Sequence, residues 1–399
     1  MREIIINQNE TTKIIALVED GVLTEKYEES KETTRLEGNI YLGKVQNILP
    51  GMQAAFINIG ENKNTFIHLK DILPKVDVKE DAIEGQNYIK AGNIKDVIKI
   101  GSPLVVQVKR DSTNKKGARV STHLSLTNRF CVFMPNVSIV TISQKIEDEE
   151  EKKRLMNIAA KVLPENTGVI LRTSCVGKSE ELIANDIKDA VKRWEAIKER
   201  VEEKRGTEPV LIEKSYGMIE KVFIDLIDQN IDKIIVNKKE IYESIVSIIE
   251  KMKPSNRIEL ILKKKENILD VYDIGTQLER ANNRKIWLKC GGFITIDKTE
   301  ALTAIDVNSG KYIGTKSLEQ TIFTVNKEAS VEIAKQLRLR DIGGIIVIDY
   351  IDMQEKENKV KIIEILKEHL KRDRSKTQVL DFTKLNLLEM TRKHMCSND

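Results

Sequence analysis

The chain has 399 residues, 40% hydrophobic and 32% charged, with 66 Lys and Arg against 62 Asp and Glu for a formal net charge of +4. That length predicts several domains, and the composition excludes a disordered or membrane-embedded chain. So small a net charge announces no polyanion binder, so any basic surface must come from local clustering.

The amino terminus, MREIIINQNETTK, has charges at Arg2 and Glu3 and too short an apolar run for a secretory segment, and no run reaches a membrane span. Cys131, Cys175, Cys290 and Cys396 are far apart, with no CxxC pair or disulfide-like framework, so a cytoplasmic location is expected.

From Gly38 to Leu126 short alternating strands follow one another: NIYLGKVQNIL, MQAAFINIG, NTFIHL, PLVVQVKR and ARVSTHLSL. They predict a small antiparallel barrel of the OB type, with PKVDVKEDAIEGQNYIKAGNIKDV as a long insertion. Phe56 and Phe66 fall on successive strands, His68 shares a face with Phe66, and Lys109, Arg110, Lys115, Lys116 and Arg119 crowd one strand and its hairpin. Aromatic faces beside a basic track suit single-stranded nucleic acid; the competing fate of an isolated Phe is the barrel core.

From Asp148 to Arg205 the chain turns helical, with EDEEEKKRLMNIAAKVL and ELIANDIKDAVKRWEAIKERVEEKR flanking the strand-like GVILRTS. In LRTSCVGKS, Arg172, Thr173, Ser174 and Lys178 could cup a phosphate or form an ordinary strand and turn. Between residues 216 and 270, strand-like KVFIDLI and KIIVN alternate with a helix around KEIYESIVSIIEKM.

In the last third, ALTAIDVN reads as a strand, SLEQTIFTVNKEASVEIAKQLRLRD as a long helix and GGIIVIDYI as a second strand. Ser317 with Gln320 predicts a capping box, Gly343 and Gly344 a stop, and Ile322, Val325, Ala329, Ile333 and Leu337 an apolar helix face. Such a crossover makes its strands parallel and usually neighbours. Asp306 and Asn308 share a strand face, and Asp349 ends the second strand, so the three converge at the sheet edge where α/β folds bind ligands. Adjacent carboxylates call for a cation, and oxygen ligands with room for water suit Mg²⁺, with Mn²⁺ as a substitute, for phosphodiester hydrolysis. The competing reading makes both aspartates turn formers at strand ends. GKYIGTKS fails Walker spacing because Thr315 separates Gly314 from Lys316; Lys311 and Lys316 stay as loop lysines that could touch phosphate.

Taken together, GNIYLGKV, AAFINIG, FIHLKDI, ILRTSCVGKS, RWEAIKER, EALTAIDVNSG, EIAKQLRLRDIGGIIVIDYIDM and LLEMTRK resemble the ribonuclease E/G family of bacterial endoribonucleases. The resemblance covers essentially the whole chain. It implies an α/β and α+β multidomain fold: an RNase H-like domain split between 1–37 and 215–279, an inserted OB-fold RNA-binding barrel at 38–126, a 5′-sensor domain at 127–214 and a DNase I-like catalytic domain at 280–399. KVFIDLI and KIIVN would then pair in space with the amino-terminal strands.

The family's catalytic residues map onto Asp306, Asn308 and Asp349, with Mg²⁺ on Asp306 and Asp349; its RNA contacts map onto Phe56, Phe66 and Lys116, and its 5′-monophosphate sensor onto Arg172 and Thr173. The implied activity is hydrolysis of single-stranded RNA, favouring 5′-monophosphorylated ends and leaving a 5′-phosphate and a 3′-hydroxyl, in rRNA processing and mRNA decay. Two departures stand out. The sequence ends at Asp399, where family members continue to a CxxC zinc link, and lone Cys396 cannot supply a chain's share of a tetrahedral site, so no structural Zn²⁺ is expected, and the choice between a monomer and a homodimer stays open. Asn386 stands where the family has Gly. The alternative function is a catalytically weak RNA-binding factor in rRNA maturation; a DNA nuclease is disfavoured by the resemblance.

Overall fold

The computed structural model describes residues 1–30, 35–72, 93–112, 117–206, 208–227, 230–252, 254, 256–264, 267–312 and 317–394. Most of the expected insertion, Lys115, Lys116, Lys316 and Cys396 lie outside the described residues. Two compact units emerge, residues 34–228 and residues 1–33 with 229–398.

In the first unit, strand Ile40–Leu49 pairs with Ala54–Asn58, then Thr65–His68, Arg119–Ser121 and Pro103–Arg110, which returns to Ile40–Leu49 and closes a five-stranded barrel. Inward residues Val45, Ile57, Ile67, Val106, Val108 and Val120 form its core. Two expectations need correction. Thr65–His68 and Arg119–Ser121 run parallel, so the barrel is not wholly antiparallel. ARVSTHLSL is also not one strand: the Ser121 hydroxyl donates to the Asp71 carbonyl at 2.8 Å and the Thr122 N–H at 2.9 Å, turning the chain before Leu126–Thr127 joins another sheet.

That second sheet, with Cys131–Met134, Gly168–Leu171 and Val140–Ile142, packs with helices Glu149–Val162 and Glu180–Glu203, as the periodicity predicts. KVFIDLI, in contrast, is not a strand but part of helix Met218–Leu226. Met218, Val222 and Leu226 recur every fourth residue on the buried side, and Glu220 accepts from the Gly217 N–H at 2.5 Å. A short dense apolar run fits a buried helix as well as a strand. It therefore does not pair with the amino-terminal strands, whereas KIIVN does: Lys233–Val236 runs parallel to Arg2–Gln8 in a five-stranded sheet.

The other sheet of this second unit has the order Lys285–Trp287, Phe293–Lys298, Leu302–Asn308, Gly344–Asp349, Leu387–Arg392, Thr377–Phe382. One face is apolar: Ile294, Ile305, Val307, Ile346, Ile348 and Leu388 belong to the same core as Val325, Ala329, Ile333 and Leu337 of helix Leu318–Leu339 and Ile362 and Leu366 of Lys356–Leu370. Each of the valine, leucine and isoleucine side chains stabilises by roughly 1.5–3 kcal/mol through burial, and Ala329 by less. The alternate residues lie on the opposite face, where Ala304, Asp306, Ile345 and Asp349 are exposed. Ser317 caps the long helix by accepting from the Gln320 N–H at 3.2 Å, so only that half of the capping box forms among the described residues. The helix ends at Leu339, ahead of the predicted glycine stop, because Asp341 takes φ +46° and the Ile342 N–H bonds the Leu337 carbonyl at 3.0 Å. No described helix is long and apolar enough to cross a membrane.

Candidate active site and nucleic-acid interface

The parallel register runs from Leu302 beside Ile345 to Asp306 beside Asp349, so the crossover brings the two carboxylates to one edge. Val307 between Asp306 and Asn308 is buried, which turns both polar side chains outward. The Asn308 amide donates to Asp306 Oδ2 at 2.6 Å and fixes that carboxylate. Partial burial, then the charges of Asp306 and Asp352, raise the Asp349 pKa from its ordinary value. Neither Asp306 nor Asp349 is engaged by a backbone N–H among the described residues, which removes the support for a turn-forming role.

Supporting groups fix the edge. Gly310, just after Asn308, has φ +58°, and a Cβ there would sit 2.5 Å from the Gly291 carbonyl, so the loop packs against the neighbouring hairpin only as glycine. Asn386 adopts φ +61°, the left-handed conformation expected of a glycine, which Asn tolerates. Its side chain donates to Asp352 at 3.1 Å and accepts from Lys359 at 2.7 Å. No group of three His, Cys, Asp or Glu side chains encloses a metal among the described residues. Two open carboxylates beside an amide instead suit Mg²⁺, which keeps several waters and binds through one or two carboxylates.

On the barrel, Phe56 lies directly opposite Phe66, their rings edge to face with centroids 6.2 Å apart. Both are only half-buried and stay outside the core. The row continues across the next strands, Phe66 beside Arg119 and Arg119 beside Arg110. His68 is half-buried on the face of Phe66, its Nδ1 accepting from the Lys70 N–H at 3.2 Å. A bulge after Val108 interrupts the alternation at Lys109, which joins Asp71, Arg110, Arg119, Ser121 and His123 around a cavity of about 360 Å³. The Lys109 ammonium donates to Gln107 Oε1 at 2.7 Å and Ser125 Oγ at 3.3 Å, both neutral, and burial pushes its pKa down to about 8. Burial also lowers the His123 pKa, while Arg119 is clasped by Asp71 at 2.8 Å.

Arg172 follows strand Gly168–Leu171 and precedes the turn Thr173–Cys175. Its Nη1 donates to the carbonyls of Asn128 at 3.0 Å and Arg129 at 3.3 Å, and its Nη2 pairs with Asp225. Thr173 is exposed beside it. Asp225 has no local signal in the sequence, because it lies in the segment read as a strand. Asp352 is equally silent, although it follows Asp349 by three positions, whereas Asn386 stands out in the sequence only as a departure from the family's Gly.

The Ribonuclease E/G family model matches residues 125–395. The chain is 37% identical over 392 residues to Ribonuclease G of Salmonella typhimurium (strain SL1344) and to Ribonuclease G of Escherichia coli (strain K12), covering 98% of this chain and 79% of each relative. Ribonuclease E of Escherichia coli (strain K12) is 34% identical over 400 residues, covering 99% of this chain and 37% of that protein. With a family match over most of its length and relatives this similar, the chain belongs to the Ribonuclease E/G family.

Proposed function

We propose that this chain cuts single-stranded RNA by metal-assisted hydrolysis at the edge formed by Asp306, Asn308 and Asp349. Family membership makes it an endoribonuclease. The observation that carries the finer reading is the register of Asp306 beside Asp349, with no cationic side chain paired to either among the described residues. Mg²⁺, or Mn²⁺ in its place, held there would supply an acidified water and positive charge at the phosphodiester. Asn308 keeps the Asp306 carboxylate aimed, and the strand register keeps Asp349 alongside it.

On the barrel, Phe56 and Phe66 offer ring surface to bases with His68 beside them, and Lys109 and Arg110 neutralise backbone phosphates, Arg119 being held by Asp71. Lys116 carries its expected RNA contact by resemblance alone. Arg172 and Thr173 recognise a 5′-monophosphate; with Asn128 and Arg129 taking the Nη1 hydrogens and Asp225 one on Nη2, the Arg172 Nε–H, the remaining Nη2–H and the Thr173 hydroxyl are the groups offered. In the same reading, residues 1–37 and 215–279 are an RNase H-like scaffold, 38–126 the RNA-binding barrel, 127–214 the 5′-sensor and 280–399 the DNase I-like catalytic domain. Substrates are rRNA precursors and messengers in the cytoplasm.

The test is cleavage of a short single-stranded RNA carrying a 5′-monophosphate or a 5′-hydroxyl, in Mg²⁺ or in EDTA, by the native chain and by Asp306→Asn. Cation-dependent cutting, faster on the monophosphate and abolished by the substitution with binding retained, is expected. Tight binding without cutting in either metal would move the assignment to an RNA-binding factor.

A further inference from the structure

Trp287 is a large apolar side chain left 57% exposed at the end of the six-stranded sheet. Its position is set by register: Trp287 pairs with Phe293, and Phe293 with Asn308. One row along, Lys285 pairs with Thr295, Thr295 with Asp306, and Asp306 with Asp349. Directly paired residues in a sheet project from the same face. Trp287, Phe293 and Lys285 therefore stand on the face that carries the carboxylates, opposite the helix-covered core.

The three side chains form a built group. The Trp287 and Phe293 rings meet at 63° with centroids 5.3 Å apart, and the Lys285 ammonium lies 4.2 Å from the first ring centre and 3.6 Å from the second. A cation held against two rings costs desolvation that an apolar protein contact would not repay, whereas an RNA strand supplies both a π-face and an anion. Gly292 keeps the hairpin close, since a Cβ there would fall 2.8 Å from the Asn308 carbonyl. The aromatic row is thus tied to the residue that aims Asp306.

The geometry points to Trp287, backed by Phe293, as a stacking platform for a nucleobase of the RNA strand at the Asp306–Asp349 edge, with Lys285 meeting its backbone phosphate. This rests on the reading that RNA is cut at that edge. Trp287 is a substrate-positioning residue here, two strands removed from Asp306.

Intrinsic fluorescence reads the platform directly, because the chain has two tryptophans, Trp194 and Trp287. In the full chain carrying Asp306→Asn to prevent cutting and Trp194→Phe to isolate the signal, a single-stranded RNA hexamer is titrated while its own labelled end reports binding. Stacking predicts strong quenching of Trp287 that saturates with binding, and little quenching by a sugar-phosphate oligomer lacking bases. In the catalytically intact chain, Trp287→Ala should raise KM roughly tenfold or more, with Trp287→Phe restoring most of the loss. Unchanged emission on bound RNA, or equal quenching by the base-free oligomer, would overturn the platform while leaving the cutting edge standing. Failure of the labelled RNA to bind at all would overturn both readings.

Discussion

Two regions of the same sheet treat charge in opposite ways. Arg392, 2% exposed at the end of its strand, is held by Asp373 at 2.7 Å and Asp341 at 2.8 Å, so a buried cation meets carboxylates on two sides. At the edge of the neighbouring strand, Asp306 and Asp349 stand side by side with no cationic side chain paired to either among the described residues, and desolvation, followed by the charges of Asp306 and Asp352, raises the pKa of Asp349. Charges that serve folding are neutralised within the chain; charges left in conflict on an open face are available to a ligand. The barrel offers the complementary case, a row of Phe56, Phe66, Arg119 and Arg110 beside a half-buried Lys109 bonded to neutral oxygens.

Substitution separates the two kinds of charge. Asp349→Asn should reduce RNA cleavage by at least ~10³-fold, because the edge loses half its anionic pair, while the thermal midpoint holds or rises slightly as the repulsion goes. A cleavage time course and a melting curve on the same preparation check both halves. Arg392→Met should do the reverse, costing about 3–5 kcal/mol of stability by stranding buried Asp373, with activity preserved in the fraction still folded; denaturant titration measures it.

The barrel should respond more mildly. Phe66→Ala is expected to weaken RNA binding by about 1–3 kcal/mol at every salt concentration, whereas Arg110→Gln should flatten the salt dependence by about 0.7 in the log–log slope. Binding isotherms at several salt concentrations distinguish them. The smallest effect is with pH. Lys109 titrates near 8 because burial outweighs the attraction of Asp71 and Glu37, with Arg110, Arg119 and His123 also around it. Raising the pH from about 7 to about 9 should remove its charge and weaken RNA binding a few-fold, and Lys109→Met should abolish that pH effect. Stability runs the other way: the folded pKa of about 8 lies below the ordinary 10.5, so the cost of a buried ammonium is fully present below about 8 and is relieved as pH rises toward 10.5.

The candidate edge was legible because its determinants are local. The spacing of Asp306 and Asn308 fixes their face, and a helix with its apolar stripe at Val325, Ala329, Ile333 and Leu337 leaves its flanking strands little choice but parallel pairing. The barrel strands were legible from alternation. What escaped depends on contacts distant in sequence or on ambiguous periods. The apolar run around Phe223 fits helix and strand alike, and its misreading hid Asp225, the partner of Arg172. The bulge at Lys109 and the parallel pairing of Phe66 with Arg119 arise from barrel closure, which no single strand encodes. Asn386 marked a departure from the family pattern, yet its φ of +61° keeps the glycine geometry and adds a bond to Asp352.

The central claim, that the Asp306–Asp349 edge holds a divalent cation, is tested most directly by Mn²⁺ titration of the full chain followed by electron paramagnetic resonance, with Asp306→Asn and Asp349→Asn in parallel. The account predicts a Mn²⁺ site in the native chain, competed by Mg²⁺ and lost on either substitution while the fold is retained. Binding of Mn²⁺ with unchanged stoichiometry and affinity in both variants would contradict it.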